Sequence, residues 1–320
     1  MYENFIFSLN AVLPIFIVVL IGALLKRFSS LPQDFYSGSE KFVFKIGLPC
    51  MLFLDVASAS AETLSKQMPL VLFCVVGTVL LCALLCFVIP LFVNDNGKRG
   101  AMVQGIFRSN VAIMGIPLAI SMFGDECRAS VAALVPFVII TFNILAVLVL
   151  TLFSPSDKRR SAKETVKEIL VGIVKNPLII GIVFGLPFMF FGLELPTAAE
   201  KVADGFSGTV TALSLVSIGA GFDISKAKDK IGSAVFAAFA KTAIVPCIMV
   251  CVAAAMGYRS VELGLVLVVF GSPTAVSSYI MAKNMNSDHN LAAQILLFST
   301  LFSLFTMFLG VFVLKSLNLI

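Results

Sequence analysis

Tryptophan is absent from this 320-residue chain, histidine occurs once, and charged residues make up only 13% of it. Each shortage removes a class of function. A single histidine, His289, excludes the H-E-x-x-H zinc site and leaves a Ser–His dyad almost no support. No Gly-x-Gly-Asp occurs, so an aspartyl pair of the intramembrane kind is missing. No G-x-x-x-x-G-K-[ST] loop couples the chain to ATP hydrolysis. Catalysis has no constellation to work with, and the chain is read as a non-enzyme. The 7 cysteines form no C-x-x-C pair. Cys50, Cys74, Cys82, Cys86, Cys247 and Cys251 fall in apolar runs, so reduced structural thiols are expected, with no metal and no resident cofactor. The 30 Phe suit lipid and packing surfaces, not an aromatic cage.

What is present is apolar. Hydrophobic residues make up 59% of the chain and its mean hydropathy is +1.04. A soluble domain is roughly 45–50% apolar and 25% charged. The expected class is an all-α polytopic membrane protein. A span needs about 20 apolar residues, and ten segments qualify: 5–25, 40–58, 68–93, 101–122, 129–153, 170–192, 200–221, 232–256, 261–282 and 289–315. The first is read as a span and not a signal peptide, since Glu3 precedes it and Lys26-Arg27 follow it. The net charge of +5 reflects loop placement, not nucleic-acid binding.

Cations sort the loops. Odd-numbered connections hold Lys26, Arg27, Lys41, Lys98, Arg99, Lys158, Arg159, Arg160, Lys163, Lys167, Lys226, Lys228, Lys230 and Lys283. Even-numbered ones and the C-terminal end hold only Lys66, Arg128, Lys201, Arg259 and Lys315. Cytoplasmic loops carry the excess of Lys and Arg. The odd loops are therefore placed inside and both termini outside, in a multi-pass protein of the cell (plasma or inner) membrane, in contact with lipid. Residues 154–168, the longest and most basic connection, read as a cytoplasmic linker between a first five-helix repeat, 1–153, and a second, 169–320.

Two segments are unlike plain spans. Arg108-Ser109-Asn110-Val111-Ala112-Ile113-Met114-Gly115-Ile116-Pro117 lies mid-span, and Phe270-Gly271-Ser272-Pro273-Thr274-Ala275-Val276-Ser277-Ser278 lies about half a chain later. Interrupted helices at matching places in two halves point to a transporter's substrate site. The halves also match elsewhere. Pro14 and Gly22 in the first span recur as Pro177 and Gly185 in the sixth, offset by 163. The fourth and ninth spans align with an offset of 164, setting Ser109-Asn110 against Pro273-Thr274. Five spans per half, an odd number, invert the second half relative to the first, with a pseudo-two-fold axis in the membrane plane.

On these residues the chain resembles the auxin efflux carrier family, in its prokaryotic branch of permeases that includes malonate and malate carriers. The likeness rests on Asn110-x-x-x-Met114-Gly115-Ile116-Pro117-Leu118, on Pro273 and Ala282-Lys283, and on Lys241 five residues before Pro246. It implies two inverted five-helix repeats, as in sodium/bile-acid symporters. Spans 1, 2, 6 and 7 form a scaffold; spans 3–5 and 8–10 form a moving domain in which spans 4 and 9 cross, each unwound near its middle. Ser109 stands where the plant carriers have a Pro, so sequence enforces the first break less strongly than the second.

The site follows from the broken backbone. Unpaired N–H and C=O groups cost several kcal/mol each in hydrocarbon and are tolerated only against protein or a wet cavity. Half-helix N-termini favour an anion. Pro273 cannot donate to residue 269. Ser109, Asn110, Ser272, Thr274 and Ser277 can cap freed groups or bind a ligand, and with Pro273 they form the candidate substrate site for a small organic anion, a mono- or dicarboxylate. Arg108 is read either as an anion-attracting group or as a structural partner of a helix C-terminus or an acid; a charge at such depth faces the bundle interior. Lys241 is read as a proton carrier, a stand-in for a coupling cation, or a lysine bonded to carbonyls of the broken helix. Pro117 is read as a second kink, Lys45 as snorkelling, Asp55 and Asp223 as helix-end carboxylates, and His289 as a helix start. Gly205-x-x-Gly208 and Ser217-Ile-Gly219-Ala-Gly221 suit a homodimer interface or a smooth wall for a moving domain. The expected function is secondary transport by alternating access, elevator-like, with Na+ coupling, H+ coupling and uniport all open. The runner-up is an intramembrane enzyme or a channel without ion coupling.

Overall fold

The computed structural model describes residues 2–28, 31–58, 61–154, 177–220 and 231–320, with single positions 167, 171, 174 and 175. Most of the linker 154–168, with Lys158, Arg159, Arg160 and Lys163, lies outside the described residues, as do Asp223, Lys226, Lys228 and Lys230. Apart from one bridge between residues 109 and 274, the described secondary structure is helical. Among the described residues, five helical stretches are long and apolar enough to cross a membrane: Tyr2–Phe28, Ser65–Leu91, Val111–Leu152, Ile231–Ala255 and His289–Ser316. Ile179–Phe191 and Ser260–Gly271 are shorter apolar helices. Large apolar side chains face outward along them, Leu80 at 64%, Phe184 at 67% and Phe305 at 71% exposure. Water would not tolerate so much contiguous apolar surface; this is a polytopic membrane protein.

In chain order the α-helices are α1 (Tyr2–Phe28), α2 (Gln33–Phe42), α3 (Leu48–Ala57), α4 (Ala61–Val88), α5 (Asn96–Phe107), α6 (Ile116–Phe123), α7 (Arg128–Leu152), α8 (Pro177–Phe191), α9 (Thr197–Gly208), α10 (Val210–Ala220), α11 (Ile231–Phe239), α12 (Val245–Ala255), α13 (Ser260–Gly271), α14 (Val276–Asn284) and α15 (His289–Ser316). Among the described residues there are three π turns: Val43–Gly47 joins α2 to α3, Ala240–Ile244 joins α11 to α12, and Val111–Gly115 leads into α6 after a break in the helix. Each ends two residues before a proline: Pro49, Pro117 or Pro246. A proline ring inside a helix clashes with the carbonyl four residues back, and a widened turn makes room for it. Pro117 is thus a deformation of a continuing helix, as its sequence position suggests.

The seventh predicted span is not one rod. It divides at Thr209, whose hydroxyl donates to the Phe206 carbonyl at 2.8 Å in place of a clean helical turn. A hydroxyl bonded back to its own helix commonly bends it.

The closest helix pairs are α1 with α10 and α3 with α8. Glycines make both possible. A Cβ on Gly22 would lie 2.1 Å from the Val216 carbonyl oxygen, and one on Gly219 would lie 1.8 Å from that of Val19. On the other pair, a Cβ on Gly181 would meet Pro49 O at 2.4 Å and one on Gly185 would meet Phe53 O at 2.9 Å. Gly219 therefore spends its small size inside the chain, whereas Gly205 and Gly208 have nothing within 4 Å.

Candidate functional site

The fourth and ninth predicted spans are both interrupted. α5 and α13 each have 12 residues, so each is about 18 Å long. A hydrocarbon core is about 30 Å thick, so each ends deep inside it. α5 is started by Asp95, whose carboxylate accepts from Lys98 N at 2.7 Å. It stops at Arg108, which is already extended (φ −86°, ψ 118°). α13 stops at Ser272 (φ −57°, ψ 144°), one residue before Pro273. The chain resumes as helix at Val111 and at Val276.

The two extended pieces lie antiparallel, with Ser109 paired to Thr274. Asn110 N donates to Pro273 O at 2.8 Å. Thr274 N donates to Ser299 Oγ at 3.1 Å, and Thr274 Oγ1 donates to the Gly105 carbonyl at 2.7 Å. Asn110 O accepts from both Met114 N and Gly115 N, at 3.0 and 3.2 Å, which opens the π turn that follows. Ser272 Oγ folds back on Val268 O at 2.6 Å. Groups that two broken helices would have orphaned are thus satisfied mostly by each other, as burial demands.

Ser109, Asn110, Ser272, Pro273 and Thr274 are all buried in this crossing, and Ser277 is half-buried in the first turn of α14. The Asn110 amide nitrogen is buried with no partner, and so is the Ser278 hydroxyl. Between α1 and the crossing lies a small, mostly apolar gap of about 10 Å³, room for one water molecule, lined by Val12, Phe16, Met114, Leu118, Ser272, Pro273, Ser303 and Met307.

Lys241 is fully buried in the π turn between α11 and α12. Its ammonium donates to the Phe270 carbonyl at 2.9 Å and to Ser109 Oγ. One cation therefore caps the C-terminal end of α13 and reaches the other broken helix. This geometry matches the carbonyl-bonded reading of Lys241. Arg108 is 5% exposed and donates from Nη2 to Asn143 Oδ1 at 2.7 Å, while Nη1 faces Met281 Sδ. Among the described residues no carboxylate lies within 4.0 Å of either cation. Arg108 therefore does not pair with an acid there. Elsewhere, Lys45 is exposed and His289 begins α15 beside the capping carboxylate of Asp288.

Sequence reading missed Asn143, Met281 and Ser299. Asn143 carried a usable signal, as the one amide in the apolar run of α7. Ser299 carried none, because hydroxyls in apolar helices usually bond to their own backbone.

The seven cysteines are all free thiols, and among the described residues no three His, Cys, Asp or Glu side chains cluster.

A Methanocaldococcus jannaschii protein named as an uncharacterized transporter is 24% identical over 308 residues, covering 92% of this chain and 95% of its own. An uncharacterized transporter of Escherichia coli O157:H7, YfdV, is 22% identical over 286 residues, 88% of this chain and 89% of its own. A Rhizobium meliloti protein named "Putative malonate transporter" is 22% identical over 302 residues, 92% of each chain. Residues 7–311 match the family described as Membrane transport protein. The chain belongs to that family of transport proteins, the one to which its likeness to the auxin efflux carriers pointed.

Proposed function

We propose that this protein is a secondary transporter of a small organic anion, a mono- or dicarboxylate, bound where the two interrupted helices cross. The carrying observation is the crossing itself. It buries an unpartnered amide at Asn110 beside two helix starts, and it holds two buried cations, Lys241 and Arg108, with no carboxylate within 4.0 Å among the described residues. Helix N-termini and cations both favour an anion. The malonate named for the Rhizobium relative is of this class.

A two-fold relation between the halves is supported by contacts that repeat. Gly22 meets Val216 O and Gly185 meets Phe53 O; positions 22 and 185 differ by 163, and so do 53 and 216. The Ser109–Thr274 bridge corresponds in the same way, at 164, to the Asn110–Pro273 bond. On this reading α1, α3, α8 and α10 belong to the scaffold, and the helices around the crossing move against it. The halves are then residues 1–153 and 169–320, joined by the linker 154–168.

The proposed sidedness also has support. Ser287 Oγ and Asp288 N both donate to Gly97 O, at 2.7 and 3.2 Å, tying together two loops assigned inside. Ser260 N donates to Leu319 O at 2.7 Å, tying two segments assigned outside. Apolar outer faces contact the lipid of a cell membrane, both termini lie outside, and the open Gly205 and Gly208 face is where a second copy would pack.

The test is counterflow in proteoliposomes with labelled malonate, succinate and acetate, with and without sodium and pH gradients. Exchange of a carboxylate, and none of the matching neutral amide, is the expected result. Absence of exchange for every carboxylate would refute the reading. The gradients decide between sodium, proton and uniport operation.

A further inference from the structure

The Arg108 guanidinium is under-satisfied in a way that its neighbours do not explain. It carries five N–H donors in a planar fork. Among the described residues only one side-chain oxygen, Asn143 Oδ1, accepts from it, and its other side-chain contact is the Met281 thioether, a weak acceptor. At 5% exposure, bulk water does not make up the difference. One turn earlier on α5, Gln104 is fully buried; its Nε2 has only the same sulfur, at 3.9 Å, and its Oε1 has no partner. Polar groups from α5 and α7 therefore converge on a methionine from α14, where an acceptor of high charge would be expected.

The proposed internal repeat supplies a comparison for this place. Positions 108 and 272 differ by 164, and so do 143 and 307. Ser272 and Met307 line the gap beside α1. Arg108 and Asn143 thus sit at the counterpart of a small unfilled gap, and here the counterpart is filled by a guanidinium and a thioether.

Resting on the transport reading, we propose that Arg108 and Asn143 form a seat for one carboxylate of the solute, with the Met281 thioether occupying that seat until the anion displaces it. The fork of Arg108 accepts a carboxylate through two parallel N–H···O bonds. The Asn143 amide nitrogen and a turned Gln104 amide supply further donors. Met281 has three rotatable bonds and no branching, so it withdraws without moving α14. A charged acceptor replaces a weak one, and the buried cation gains its missing counter-ion.

The experiment measures melting of the purified full chain in detergent with malonate, and with malonamide as the uncharged control. Malonate should raise the melting temperature of the wild type and malonamide should not. Arg108→Gln should weaken the malonate effect about tenfold or more, and Arg108→Lys, which keeps charge but not the fork, by less. Met281→Ala should strengthen it a few-fold, because nothing then competes for the seat. That variant only shortens a flexible side chain, so it decides the matter even where Arg108→Gln fails to fold. No malonate effect in the wild type, an undiminished effect in Arg108→Gln, or a weaker effect in Met281→Ala would each overturn the seat. Counterflow separates the two readings. Exchange that survives in Arg108→Gln with its melting response intact removes the seat and leaves transport standing. A seat that binds malonate in a wild type unable to exchange any carboxylate removes transport and leaves the seat.

Discussion

The contact between α1 and α10 and the crossing of the two interrupted helices both bring backbones into touch, by opposite chemistry. At the first, glycines remove side chains so that two intact helices meet: Gly22 lies on Val216 and Gly219 on Val19. Neither helix is interrupted at the contact, and dispersion does the rest. At the second, the helices are opened and the freed groups bond across, Asn110 N to Pro273 O and Thr274 Oγ1 to Gly105 O. Among the described residues the first contact breaks no helix and so frees no backbone group for a solute. The second keeps spare hydrogen-bonding capacity, at Asn110 and Arg108. Closeness alone is a packing device; closeness with unspent hydrogen bonds is the feature on which the proposed site rests.

That contrast can be broken from either side. The largest effect is expected from Gly219→Ala. Its Cβ would sit 1.8 Å from a backbone oxygen, and no side chain can move aside to relieve it. The loss should be about 3 kcal/mol or more, read as a collapse of folded yield in detergent. A normal yield would show that the two helices are not held this close. Next comes Lys241→Met, which leaves the Phe270 carbonyl and the Ser109 hydroxyl without their buried partner, at about 1–3 kcal/mol each. Melting temperature and carboxylate exchange should fall together, and an unchanged melting curve would remove Lys241 as the tie between the two breaks. Thr274→Val removes one bond across the crossing and should cost about 0.6–1 kcal/mol of stability; a larger loss would mean that this one hydroxyl holds the crossing shut. The smallest effect belongs to Gly205→Ala. It meets nothing within 4 Å, and helix propensity favours Ala by about 1 kcal/mol, so stability should hold or rise slightly. A clear loss would reveal a neighbour at that face, as a second copy would provide.

How much of this was legible in the sequence varies by residue. The second break was plain, because Pro273 removes a donor and a helical turn at once. The first was less plain, since Ser109 stands where a proline would have forced the issue, yet the chain opens there all the same. The Ser109–Thr274 pairing accounts for it: a partner strand satisfies the groups that opening releases, and no local propensity reports a partner 165 positions away. The π turns before Pro49 and Pro246 went unread for a related reason, because a proline in an apolar run marks a deformation without saying which kind. Lys241 was legible as an anomaly but not as a cap on Phe270, and Arg108 was legible without Asn143. Charge in an apolar segment announces itself; the group that receives it does not.

The most direct measurement is labelled-carboxylate counterflow, per folded molecule, for Asn110→Ala beside Gly205→Ala. The first variant removes the unpartnered amide at the crossing and the second alters only an open glycine. Exchange abolished in Asn110→Ala at normal folded yield, and intact in Gly205→Ala, is the predicted result. Undiminished exchange in Asn110→Ala would contradict a solute site at the crossing.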